Sequence, residues 1–140
     1  MAATMQCDIV SAEEEIFSGR IAALSVTGTI GELGILPGHA PLLTGIRPGP
    51  VKLRDENGDE EVFYASGGFL EIQPGVVTVL ADTALRAGDI DEAAALEAQQ
   101  QAERALSESA AEMDYGMAQA ALAAATAQQR TLEELRKIRR

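Results

Sequence analysis

The chain has 140 residues with a formal net charge of −11, and 46% of the residues are hydrophobic. This apolar content supports a folded core and argues against global disorder, while the acidic balance argues against general binding to nucleic acid or anionic lipid. No apolar run approaches the roughly 20 residues of a membrane helix, and the opening MAATMQCDIVS lacks the basic and apolar regions of a targeting signal, so we expect a cytoplasmic protein with no direct membrane insertion.

Glycine and proline divide the chain into two parts. All five prolines and 12 of the 13 glycines lie at or before Gly88, whereas residues 89–140 contain 15 alanines, Gly116 and no proline. Such a change rarely occurs within one architecture. We predict a β-sandwich or flattened barrel over 1–88, followed by an antiparallel two-helix hairpin over 89–140.

The first strands show apolar alternation. Met5, Cys7 and Ile9 alternate with polar residues, which predicts that the only cysteine is a small buried side chain rather than a nucleophile. A single cysteine also excludes an intrachain disulfide. The apolar segment Arg20–Val26 is predicted as the next strand.

Two turn signals predict hairpins. Asn57-Gly58 favours a tight turn in which both residues have positive φ, and Pro74-Gly75 suits the centre of a type II turn. Each turn is flanked by two predicted strands: Val51–Arg54 and Glu61–Ala65 around the first, Gly68–Gln73 and Val76–Ala81 around the second.

Cap signals begin both predicted helices. Asp89 with Glu92 forms a D-x-x-E capping box, which predicts a first helix over Ile90–Ser107. Asp114 is the predicted cap of a second helix that reaches Ile138. A serine-containing interruption separates the two.

Alanines recur at heptad spacing in both helices. The predicted seams are Ala95, Ala98, Ala102 and Ala105 in the first helix, and Ala118, Ala121, Ala125, Leu132 and Leu135, with Gln128, in the second. Alanine permits close packing but buries little area, so the hairpin is expected to be only marginally closed. Two interpretations stay open: an ordinary stabilising hairpin, or a helix pair that opens.

The C-terminal residues reverse the charge of the chain. Residues 129–140 carry five cations against Glu133 and Glu134, a net of +3. The cations are Arg130, Arg136, Lys137, Arg139 and Arg140. They either favour the helix C-terminus through its dipole or dock onto an acidic partner surface.

Few residues are suited to catalysis. His39 is the only histidine and lies in the loop LPGHAP, which favours a loop or partner-contact role over a metal or catalytic one. The glycines of GTIGELG are not followed by Lys-Ser/Thr, so they do not form a phosphate-binding loop. A small hydrolase that uses Glu32 and His39 is the catalytic alternative.

Several stretches resemble the epsilon subunits of bacterial F-type ATP synthases, in order along nearly the whole chain. They are CDIVSAEEEIFSG (7–19), GELGILPGHAPLLT (31–44), SGGFLEIQPGVVTVLADTALR (66–86), DIDEAAALEAQQQAE (89–103) and MDYGMAQAAL (113–122). The resemblance implies a β-sandwich with a helical hairpin, in agreement with the prediction from the residues.

The resemblance also implies a function. Such a subunit is not itself an enzyme; it links the gamma subunit and the c-ring of the central stalk, and its helices inhibit ATP hydrolysis by reaching the alpha/beta catalytic head. The position of Glu32 matches a c-ring contact, that of His39 a gamma contact, and that of Ser109 a contact with the head. The basic C-terminal residues are expected to contact the head as well. A peripheral location on the cytoplasmic face of the bacterial inner membrane follows.

The chain departs from the family in one motif. Many members carry Ile/Leu-Asp-x-x-Arg-Ala at the start of the first helix, associated with ATP binding. Here Ile90 and Asp91 are present, but Ala94 stands at the arginine position. We therefore expect no cofactor and little ATP binding. The alternative to a rotor subunit is a free-standing adaptor of the same shape.

Overall fold

The computed structural model describes residues 3–108 and 112–138, and it confirms the predicted fold class. The strands are β1 Met5–Ser11, β2 Glu15–Gly28, β3 Gly31–Ile35, β4 Leu42–Ile46, β5 Gly49–Asp55, β6 Glu60–Ala65, β7 Gly68–Gln73, β8 Val76–Ala81 and β9 Ala84–Arg86. A 3-10 turn, Ala87–Asp89, leads to helices α1 (Glu92–Glu108) and α2 (Glu112–Ile138).

Strand β2 belongs to both layers of the sandwich and is longer than the predicted segment. Residues 15–21 pair with β1, and the later part pairs with β5 on one side and β3 on the other. The front sheet therefore contains β4, β7, β8, β1 and the start of β2, and the back sheet contains β3, the end of β2, β5, β6 and β9. One pairing, Gly28 with Ile46, joins β2 to β4 and closes the flattened barrel.

The main core lies between these two sheets. It consists of alternating inward side chains, with Ile9, Ile21, Leu70 and Val79 fully buried. Cys7 is also fully buried, as predicted. Burial, followed by the neighbouring Asp8 carboxylate, raises the pKa of the Cys7 thiol to about 12, so the thiol stays protonated at neutral pH.

Both predicted hairpins form, but the first has a different turn. Four residues, 56–59, lie between β5 and β6, and only Gly58 among them takes positive φ (+88°), so the predicted turn with positive φ at Asn57 is wrong. The Asp55 carboxylate accepts hydrogen bonds from the backbone N–H of Asn57 (2.8 Å) and Asp59 (3.0 Å). This Asx interaction stabilises a longer loop that contains one left-handed glycine. At Pro74-Gly75, the φ of +76° at Gly75 fits the predicted type II turn.

Helix α1 starts later than predicted because a different aspartate caps it. Asp89 ends the 3-10 turn, and Ile90 remains extended. The Asp91 carboxylate accepts the N–H of Ala94 at 3.1 Å, so Asp91 rather than Asp89 is the cap. Helix α2 includes Asp114, since it already begins at Glu112, and the predicted N-cap at Asp114 is therefore wrong.

The helix pair lies on the back sheet through α2, which packs on β5 and β6, while α1 packs on α2. Four of the seven alanines in the predicted seam are buried, and three are exposed. Its buried alanines are Ala95, Ala102, Ala118 and Ala125. Ala98, Ala105 and Ala121 are exposed, so these three positions of the predicted seam are wrong. The partly buried Gln99 forms a hydrogen bond with Gln129 across the pair. The contact between the two helices therefore passes through Gln99 and not through the predicted Ala98.

Candidate functional site

The hairpin joining β2 and β3 projects from the sandwich. Gly28 pairs with Gly31 across a short turn, and Ile30 at its tip is 96% exposed. Glu32 lies on β3 opposite Thr27, with its side chain in solvent. A fully exposed isoleucine beside a free carboxylate is better suited to contacting another protein than to catalysis.

His39 lies in the loop between β3 and β4, as predicted. Its ring is exposed, and Nδ1 lies 2.7 Å from the Ala40 carbonyl oxygen. No hydrogen bond links His39 to Glu32 in this described region, so the pair lacks the geometry of a general acid–base site. Across residues 3–108 and 112–138, no cluster of His, Cys, Asp and Glu side chains is arranged to hold a metal ion.

The outer face of the front sheet carries an apolar surface that the sequence analysis did not identify. Leu43, Phe69 and Leu80 are 66%, 56% and 45% exposed, and we call these three residues the front strip. Phe69 pairs directly with Leu80 on one side and with Gly45 on the other. A Cβ atom at Gly45 would lie 3.0 Å from Cγ2 of Thr29, so the base of the β2–β3 tip adjoins the strip.

A signal for the front strip was present in the sequence. β7 and β8 each break the alternation at one place, because the apolar Phe69 precedes the inward Leu70 and the apolar Leu80 follows the inward Val79, although Glu71 and Thr78 keep polar side chains on the same outer face. An antiparallel strand with one face in solvent normally alternates apolar with polar residues. The break in alternation marks an outer face that is suited to a partner.

The residues of the degenerate ATP motif have structural roles. Ile90 packs beneath the helices in a buried cluster with Tyr64 and Leu132, and Asp91 caps α1. Burial raises the pKa of the Tyr64 hydroxyl, and the Gln128 side chain partly offsets this effect. Ala94 is exposed and contributes no charge.

The two arginines nearest this motif in sequence make contacts of their own. Arg86 pairs with Glu61 at 3.1 Å, donates to the Ile16 carbonyl and lies 5.2 Å from the centre of the Phe63 ring. Arg104 lies ten residues beyond Ala94, a separation of about 15 Å along α1, and its Nε donates to the Gln100 carbonyl oxygen. Both guanidinium groups are thus engaged at other positions than Ala94.

Two of the three described basic residues of α2 form ion pairs. Arg130 is exposed. Arg136 forms an ion pair with Glu92 of α1, and Lys137 lies 3.4 Å from Glu134 in the next turn of α2. The remaining predicted contacts with the catalytic head, Ser109, Arg139 and Arg140, lie outside the described residues.

Glu134 connects α2 to the sandwich. Its Oε2 lies 3.1 Å from Nζ of Lys52 on β5, and both side chains are partly exposed. Partial burial raises the pKa of Glu134, but the hydrogen bonds and charges of Lys52 and Lys137 outweigh it and hold the pKa below its ordinary value. Glu134 is thus charged at neutral pH and available for ion pairing.

Comparison with known families covers both parts of the chain. The model of the ATP synthase delta/epsilon chain beta-sandwich domain matches residues 4–87. The model of the delta/epsilon long alpha-helix domain matches residues 89–133. Within the described residues, no helix is long and apolar enough to cross a membrane.

Two solved structures have the same fold. One is a chain of the Euglena gracilis mitochondrial ATP synthase (OSCP/F1/c-ring), with a TM-score of 0.83, 24% identity, and coverage of 92% of this chain and 81% of that chain. The other belongs to the Tetrahymena thermophila mitochondrial ATP synthase (central stalk/c-ring), with a TM-score of 0.65, 13% identity, and coverage of 94% and 98%. At these identities the likeness concerns the fold alone.

Proposed function

The chain belongs to the ATP synthase delta/epsilon family, and we propose from this membership that it is a non-catalytic central-stalk subunit of a proton-translocating F-type ATP synthase. Its β-sandwich binds the gamma subunit and the c-ring and so couples ring rotation to the catalytic head. Its helix pair inhibits ATP hydrolysis by reaching the alpha/beta head. The proposed role implies a peripheral location on the cytoplasmic face of the bacterial inner membrane.

The observation that carries this proposal is that the two outer faces of the sandwich differ, since one is covered by the helices and the other is exposed and apolar in part. The helices occupy the back sheet, while the front strip lies in solvent on the other side. We assign the front strip to the gamma subunit, because an exposed aromatic residue beside an exposed leucine suits a protein interface. Glu32 and Ile30 at the adjoining tip are assigned to the polar loops and rim of the c-ring, and His39 to gamma.

A fragment of residues 1–88 is expected to fold and to bind gamma as the full chain does. The main core consists of side chains between Met5 and Ala84, and the front strip lies within the same range. Binding to the alpha/beta/gamma complex, measured by calorimetry, tests this expectation. Native-like circular dichroism without gamma binding would contradict it, and a full chain that never co-purifies with gamma would favour a free-standing adaptor.

ATP is expected to bind the isolated chain weakly or not at all. Triphosphate recognition relies on fixed positive charge, and Ala94 supplies none, while Arg86 and Arg136 are each paired with a carboxylate. Calorimetric titration with ATP should give no saturable heat at micromolar nucleotide. An Ala94→Arg variant provides the comparison and should bind more tightly than the natural sequence. A low-micromolar dissociation constant for the natural chain would refute the expectation.

A further inference from the structure

Two ion pairs, only two residues apart on α2, hold this helix to different parts of the chain. Glu134 reaches back to Lys52 on β5, whereas Arg136 reaches across to Glu92 in the first turn of α1. Each pair crosses a contact that must break when α2 leaves its position. Both pairs lie at the C-terminal end of α2, where this helix meets the back sheet and the N-terminal end of α1.

The apolar contacts beneath the helices are few. The buried cluster there contains Tyr64, Ile90, Leu132 and two alanines. By contrast, the core between the sheets is built mainly of Ile, Leu, Val and Phe side chains. Because alanine buries little area, closure of the helix pair rests on a small apolar gain, and modest polar contacts contribute a large share of it.

We propose that Lys52 and Glu92 form an electrostatic latch that holds the helix pair closed by pairing with Glu134 and Arg136. The regulatory meaning of the latch rests on the proposed inhibitory function. Arg136 cannot pair with Glu92 and with an acidic surface of the catalytic head at the same time. The latch therefore competes with inhibition. Lys52 and Glu92, which do not belong to α2, determine how readily this helix is released.

Thiol labelling at a buried position of α2 measures opening directly. Thr131 is fully buried in the closed pair, so a Thr131→Cys side chain reacts only after α2 departs. The natural Cys7 remains silent because it is buried in the sandwich core. Where the labelling rate is first order in reagent, it scales with the equilibrium constant for opening, however rare the open state is.

In this background, Lys52→Gln and Glu92→Gln should each accelerate labelling about 1.4- to 5-fold, the range of a partly exposed ion pair. The double variant should accelerate it about 2- to 25-fold, since the two pairs cross different contacts. Exchanging the charges (Glu92→Arg with Arg136→Glu) should restore slow labelling. Matched controls are Arg54→Gln and Glu97→Gln, which remove charges from the same strand and helix but from neither pair.

Unchanged labelling in the double variant, or equal acceleration in the controls, would overturn the latch. Its failure is distinguishable from failure of the proposed function. If the latch variants label at the natural rate while loss of residues 129–140 still raises hydrolysis in the assembled complex, only the latch falls. If the latch variants label faster while loss of residues 129–140 leaves hydrolysis unchanged, the latch stands and the inhibitory function falls.

Discussion

A Phe69→Glu substitution is expected to weaken binding to the gamma subunit by roughly 30-fold or more. Truncation of a central aromatic anchor in an interface costs about 2 kcal/mol or more, and a carboxylate at this position must also be desolvated. Phe69 lies between Gly45 and Leu80 in the middle of the front strip, and its side chain already faces solvent in the free chain. The substitution should therefore leave folding of the isolated chain intact.

Calorimetric titration into the alpha/beta/gamma complex measures this effect. Leu96→Glu is the matched control, because Leu96 has a similar exposure of 50% but lies on α1, away from the front sheet. Leu80→Glu should act in the same direction as Phe69→Glu. Equal affinity for Phe69→Glu, Leu96→Glu and the natural chain would remove the front strip from the gamma interface.

The position of the front strip shows where sequence reasoning reached its limit. The hairpin signals and the alternation around Cys7 predict strands correctly, because turn chemistry and pleat periodicity are local. The exposure of Phe69 and Leu80 is not local. Neighbouring apolar residues such as Val79-Leu80 are compatible with a strand buried on both faces. Only the packing of α2 on the back sheet leaves the opposite face uncovered.

The helices illustrate a second limit. Asp89 and Asp91 both precede an apolar periodic segment, and the buried Ile90 decides between them, since its extended backbone delays the helix to Glu92. Alanine-rich helices also offer several equivalent faces, so spacing alone does not select one. Ala98 fits the predicted heptad but is exposed, because the actual contact line passes through Gln99. The ion pairs that join α2 to Lys52 and to Glu92 connect residues far apart in the sequence and have no local signal.

Deletion of residues 129–140 is expected to raise ATP hydrolysis by the assembled complex several-fold while leaving assembly intact. The segment carries the five cations proposed to meet the catalytic head, and assembly is assigned to the front strip and the β2–β3 tip. Opening of the helix pair needs to overcome only a small buried surface, so a modest gain at the head suffices to hold the helix there. Hydrolysis rates of complexes reconstituted with the full and shortened chains test this expectation. Unchanged hydrolysis with normal incorporation would contradict it.

Individual cations are expected to differ because of the latch. Exposed ion pairs contribute about 0.2–1 kcal/mol each, so Arg130→Gln alone should raise hydrolysis only slightly, whereas replacing all five cations by Gln should release inhibition. Arg136→Gln removes a proposed contact with the head but also frees α2 from Glu92, so its two expected effects oppose each other. Glu92→Gln removes one of the two latch pairs and none of the proposed head contacts, so it should strengthen inhibition. If the variant with all five cations replaced by Gln still inhibits fully while the chain lacking residues 129–140 does not, insertion of the helix and not its charge blocks the head.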